Sequence, residues 1–98
     1  ESMLAMVERK TPQIHAAQIR ALLTRPDASG VLPGISCPTL LLCGREDRWS
    51  PLARHEQMAA RIPGALLAVI EDAGHMTTME RPECVSAAMR EFLCAAAL

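Results

Sequence analysis

Pro38-Thr39-Leu40-Leu41-Leu42-Cys43-Gly44 and Ala65-Leu66-Leu67-Ala68-Val69-Ile70 are two unbroken apolar runs in this chain. Neither alternates apolar with polar residues, and each is too short for a typical helix. Runs of this kind, bounded by Pro and Gly, read as strands buried on both faces, as in a parallel sheet. Between them, Ser50-Pro51 pairs an N-cap residue with a proline at the first helical position. Leu52, His55, Met58, Ala59 and Ile62 follow at helical spacing, and Pro63-Gly64 stops the helix. After the second run, Glu71 to Thr78 is a polar loop around Gly74-His75. Pro82 opens a last helix, with Val85, Ala88, Met89, Phe92 and Leu93 on one stripe. Strand, helix, strand, helix is the unit of an α/β parallel sheet.

Outward from that unit, residues 1–34 have a different character. Ser2 to Arg9 mixes Met3, Leu4, Met6 and Val7 with polar residues, and reads as a short helix. Thr11-Pro12 is an N-cap with proline at the first helical position, and Ile14, Ala17, Ala21 and Leu22 carry a helix to about Thr24. Arg25 to Gly34 holds Pro26, Asp27, Ser29, Gly30, Pro33 and Gly34, a connector with room for one tight helical turn. Two parallel strands cannot cover each other's edges. The expectation is that further strands come from a segment ahead of Glu1 or from another chain, a second copy included. An opening residue other than Met fits that expectation.

Composition narrows the function. The chain has 98 residues, one small domain, and half of them are hydrophobic. Ten Lys+Arg stand against 11 Asp+Glu, which argues against a nucleic-acid surface or a polybasic membrane patch. Trp49 and Phe92 are the whole aromatic complement, so base stacking is not its business. No apolar span approaches the ~18 residues of a membrane helix, and no signal peptide is visible. Cys37, Cys43, Cys84 and Cys94 form no C-x-x-C pair, and His15, His55 and His75 are not spaced to complete a metal set. The cysteines are expected to be free and mostly buried, in a reducing, cytoplasmic compartment.

The chemistry lies in the loops after the strands, where open α/β sheets place their sites. Gly44-Arg45-Glu46-Asp47-Arg48-Trp49-Ser50-Pro51 follows the first strand, and Glu71-Asp72-Ala73-Gly74-His75 follows the second. An acid and a histidine past neighbouring strands can meet above the sheet. The carboxylate then holds one imidazole nitrogen and leaves the other as a general base. From the residues alone, Asp47 also reads as a loop carboxylate capping a turn or the next helix, and Glu46 and Asp72 are competing acids. Trp49 lines a substrate pocket or covers the end of the sheet. Glu80, just ahead of Pro82, is placed to hydrogen-bond loop or helix-start amides.

The order of these pieces resembles the C-terminal part of an α/β-hydrolase-fold protein. That pattern is an apolar strand, G-x-x-D with a Pro four residues later, a helix, I-P, a second apolar strand, G-H, and E-x-P before the last helix. Here it is met by Leu40–Gly44, Asp47 with Pro51, Ile62-Pro63, Gly74-His75, Glu80-Arg81-Pro82 and Phe92-Leu93, over residues 35–93. The resemblance implies an α/β fold in which residues 35–98 are the C-terminal strand-helix-strand-helix part of the core. Residues 1–34 are similar to the end of a helical cap region and its return connector. It implies Asp47 as triad acid and His75 as triad base, a small-molecule acyl substrate such as an ester or lactone, and no cofactor.

The family's G-x-S-x-G nucleophile elbow and its oxyanion-hole stretch are absent from these residues. Chain order in the family is nucleophile, acid, histidine, so the nucleophile (Ser, Asp or Cys) is expected upstream of Glu1. The expectation is therefore a C-terminal fragment of a hydrolase, inactive alone. Two alternatives stand beside it. One is the same fold with other chemistry: a haloalkane dehalogenase, epoxide hydrolase, C–C hydrolase or haloperoxidase. The other is a non-catalytic fragment acting only through association with another chain.

Overall fold

The structure, a computed structural model, describes residues 2–96. Two helices open the chain: α1 (Met3–Glu8) and α2 (Pro12–Thr24). Their N-caps behave as their sequences require. Ser2 Oγ accepts the Ala5 N–H at 3.1 Å, and Thr11 Oγ1 accepts the Ile14 N–H at 3.1 Å, with Pro12 in the first turn. Neither helix buries a residue, and Met3, Leu4, Met6, Val7, Ile14, Ile19, Leu22 and Leu23 are exposed. Helices this short draw most of their stability from a packed face, which these two lack among the described residues. The connector tightens into a 3₁₀ turn over Ser29–Gly34. Asp27 Oδ1 starts it by accepting both the Ser29 N–H at 2.9 Å and its hydroxyl at 2.6 Å, and these bonds hold the Asp27 carboxyl below its usual range.

The apolar runs become β1 (Leu40–Gly44) and β2 (Leu66–Ile70), a parallel pair in the register Leu40↔Leu66 through Gly44↔Ile70. Helix α3 (Leu52–Arg61) crosses between them, and α5 (Pro82–Ala95) follows a one-turn helix α4 (Thr77–Glu80). Helices α3 and α5 both pack on the strands. Successive residues on a strand face opposite ways. Leu42 packs on the cluster of Ile70, Ala73 and Val85 of α5. The next residue, Cys43, turns to the other face, where its Sγ lies 3.8 Å from the Ser50 carbonyl. Ile62 is buried where α3 ends, and Gly64, at φ 71°, takes the left-handed conformation that lets the chain turn back into β2. No helix among the described residues is long and apolar enough to cross a membrane.

Three local expectations need correction. Ser50 does not cap α3: the helix begins one residue later than expected, at Leu52, so the N-cap is Pro51, with no side-chain cap bond, and Ser50 instead closes the Asp47 turn through its N–H. The loop read from Glu71 to Thr78 is cut short by α4, whose chain is drawn into a turn by Glu80 N–H bonding the Met76 carbonyl at 2.9 Å. The thiols are free but not mostly buried: Cys43 is buried, while Cys37, Cys84 and Cys94 are exposed. Cys37 precedes β1, and Cys84 and Cys94 lie off the Val85 stripe of α5, so a sheet two strands wide does not reach them.

Candidate active site

The carboxyl ends of β1 and β2 are stitched by backbone bonds. Arg45 N–H donates to the Ile70 carbonyl and Glu46 N–H to the Ala73 carbonyl, each at 3.0 Å. Contact this close needs a glycine at the end of β1. A Cβ on Gly44 would stand 2.5 Å from the Ala73 carbonyl oxygen and nearer still to that of Gly74. The two loops therefore lie directly against each other.

Asp47 is buried, with 8% of its surface exposed. Its Oδ1 accepts the backbone N–H groups of Trp49 and Ser50, both at 2.9 Å, so the loop folds around the carboxylate. Its Oδ2 lies 3.0 Å from His75 Nδ1. These contacts hold the Asp47 carboxyl below its usual range, the Ser50 N–H contributing most and overcoming the opposing effect of burial; the His75 ring and the Trp49 N–H add to it. An ionised carboxylate only accepts, so Nδ1 must carry the proton of that bond. Nε2 has no hydrogen-bond partner among the described residues and is left as an acceptor. The imidazole is half exposed, its side chain at 47% against 5% for Asp47. A charge-oriented histidine with one free nitrogen is the arrangement a general base requires.

The remaining candidates fall around this pair. The Trp49 indole stands 5.2 Å from the His75 ring, tilted by 43°, with 82% of its surface open to solvent. Glu46 and Asp72 are exposed, and the acid bonded to His75 is Asp47. Glu80 reaches back to the histidine loop: Gly74 N–H donates to its Oε1 and Oε2 at 3.2 and 3.1 Å, and Met76 N–H to Oε2 at 3.1 Å. Arg45 and Glu71 form a two-pronged ion pair at 2.7 and 2.9 Å on the rim, which raises the arginine and lowers the acid from their usual values. Burial, and then the Asp47 charge, push the Cys43 thiol up, so it stays protonated beneath the loop. His55 bonds its own helix start, the Pro51 carbonyl, at 3.2 Å, and His15 is exposed. No three His, Cys, Asp or Glu side chains cluster to hold a metal among the described residues. The turn-capping reading of Asp47 holds as well, since its Oδ1 takes the amides two and three residues on. Sequence reasoning missed the close approach at Gly44, whose only signal was a glycine ending an apolar run.

A parallel strand pair carrying an acid on one end and a histidine on the next defines a piece of an α/β-hydrolase fold. The chain belongs to that fold's TAP-like protein family, whose profile matches residues 12–98. It is 34% identical over 83 residues to the RutD protein of Caulobacter sp. (strain K31), covering 85% of this chain and 31% of that one. A thermophilic esterase from Thermogutta terrifontis superimposes with a TM-score of 0.72 at 48% identity, over 74% of this chain and 27% of the esterase. Est816, described as an N-acyl homoserine lactone degrading enzyme, does so at 0.68 and 30% identity, over 90% of this chain and 42% of its own. The chain thus spans less than half the length of each of these relatives.

Proposed function

We propose that this chain supplies the acid and the general base of a triad that hydrolyses a small ester or lactone, with the nucleophile and oxyanion donors on further strands of the same sheet. The observation that carries the reading is the Asp47–His75 bond at 3.0 Å with Nε2 left free. The esterase and the lactone-degrading relative support the substrate class. In this mechanism a serine hydroxyl attacks the acyl carbon while His75 Nε2 takes its proton. The same nitrogen returns the proton to the departing alkoxide, and water then repeats the cycle on the acyl-enzyme. Asp47 holds the ring in the Nδ1–H tautomer and stabilises the imidazolium. Trp49, open to solvent beside that ring, forms a wall of the acyl pocket. No metal or organic cofactor takes part. Residues 1–34 belong to a cap over the site, and the free thiols suit a cytoplasmic enzyme.

The test is turnover of p-nitrophenyl acetate and a simple lactone. The 98-residue chain alone should give no sustained turnover above background, because it lacks the nucleophile elbow and the oxyanion donors. In the assembled enzyme, His75→Ala should nearly abolish turnover. Asp47→Asn should cost up to about ten-thousandfold, the loss known for the orienting acid of a serine protease. Near-wild-type turnover after either change in a folded enzyme refutes the assignment.

A further inference from the structure

The histidine loop has a weakness that one side chain repairs. His75 makes no backbone hydrogen bond among the described residues, and its ring is tied to the protein by Asp47 Oδ2. A half-exposed side chain on such a segment would lose its aim unless the residues on either side were fixed. Both are. The amides of Gly74 and Met76, which flank the histidine, converge on the Glu80 carboxylate at 3.1–3.2 Å. Gly74 is further backed by the bare Cα of Gly44. The single turn of α4 brings Glu80 round to make these contacts, which no other acid in the loop is placed to make.

We propose that Glu80 is a positioning residue for His75: its carboxylate pins the two amides that bracket the histidine and so keeps Nδ1 within hydrogen-bond reach of Asp47. The inference rests on the reading of Asp47 and His75 as an acid–base pair, and it assigns the aim of that pair to a residue outside it. Geometry carries it, not charge. Glu80 is exposed, so its field is screened by water, whereas the position of Oε2 is set by side-chain length. Oε2 alone accepts from both amides. Glutamine can place its carbonyl oxygen there; aspartate keeps the charge but falls one methylene short.

The experiment reads the His75 tautomer by two-bond 1H–15N NMR of the 15N-labelled protein above the pH of imidazole protonation. In the wild type the neutral ring should be the Nδ1–H form, the minor tautomer of free histidine. Glu80→Gln should keep that form. Glu80→Asp should lose it to the Nε2–H form, while the amide signals of β1 and β2 stay in place. A folded Glu80→Asp protein with the wild-type tautomer overturns the proposal. Should Glu80→Asp fail to fold, amide exchange in the wild type decides: Gly74 and Met76 should be protected, and exchange at free-peptide rates overturns the clamp. A wild-type ring already in the Nε2–H form would instead refute the acid–base pair itself, so the two failures are distinct.

Discussion

Replacing Gly44 by alanine probes the contact on which the whole site is built. The new methyl would stand 2.5 Å from the Ala73 carbonyl oxygen, 2.8 Å from its carbon, and closer still to the Gly74 carbonyl oxygen. All of these are backbone atoms, and the Ala73 carbonyl is held by the Glu46 N–H at 3.0 Å. Ordinary contact begins at 3.4 Å, so the segment at 73–74 must retreat by about an ångström. Overpacking of this kind costs about 1–3 kcal/mol, roughly a five- to 150-fold fall in the folded-to-unfolded ratio. The same retreat lengthens the 3.0 Å acid–histidine bond towards ~4 Å, outside hydrogen-bond range. A misplacement of ~1 Å costs on the order of a hundredfold in turnover. Urea unfolding and the His75 tautomer read the two effects. Gly30→Ala is the control: nothing lies within 4 Å of its added methyl, so its midpoint should stay put or rise. A Gly44→Ala protein with the wild-type midpoint and an intact Nδ1–H signal would refute the close-contact argument.

Acid sensitivity should trace in part to Asp47. Its folded pKa lies below the unfolded value of about 3.9, so its contribution is present above that pH and is lost as the pH falls through the depressed folded value. Urea midpoints taken from pH 6 down to pH 2.5 should fall more steeply for the wild type than for Asp47→Asn; equal slopes would contradict the linkage. Thiol titration with a disulfide reagent should show three fast groups, Cys37, Cys84 and Cys94, and one slow group released on unfolding, Cys43. Four equal rates would contradict the burial of β1. Trp49 is the sole tryptophan of this sequence and its indole lies 5.2 Å from the His75 ring, so His75→Ala should change its emission at neutral pH; an unchanged spectrum would contradict that ring contact. Arg45→Ala should lower the midpoint only slightly, and the difference should vanish in 1 M salt, because the Arg45–Glu71 pair is more than half exposed.

Much of this was legible because the signals are local. The apolar runs at 40–44 and 66–70 needed no partner to be recognised as strands, and they pair in parallel. The expected burial on both faces is met only at Cys43, Gly44 and Ile70, with Leu66 exposed, because two strands and their helices leave the rest partly open. The caps at Ser2 and Thr11 lie three residues from the amides they bind. Asp47 and His75 are 28 residues apart, yet each follows a strand end, and parallel pairing brings such ends together. What escaped was set by contacts between segments. Ser50 has the composition of a helix cap, but the loop around Asp47 takes it in and the helix starts past it, at Leu52. Helix α4 has no apolar period to announce it; the chain turns there because Glu80 has amides to meet. The thiols were misjudged because burial depends on how many layers surround a residue, and a residue type does not report that.

The site and the fold therefore differ in how far each is complete within this chain. The bonds that shape the acid–base pair run within and between residues 44–50 and 70–80, so the pair is assembled locally. The hydrophobic surface is not satisfied in the same way. Cys43, Ile62, Ile70, Ala73 and Val85 are the buried apolar residues among those described, while large apolar side chains from Met3 to Leu93 remain exposed. Parallel strands are ordinarily covered on both faces and joined by more neighbours than one. The free edges of β1 and β2 and the bare faces of α1 and α2 are the surfaces that additional strands and helices of a hydrolase core would cover. Joining them would stabilise the chain through apolar burial, and in the proposed mechanism it is those strands that bring a nucleophile to His75 Nε2. On the proposed reading, the assembly that stabilises the fold also completes the catalyst, so turnover and a higher urea midpoint should appear together when further strands of the sheet are supplied.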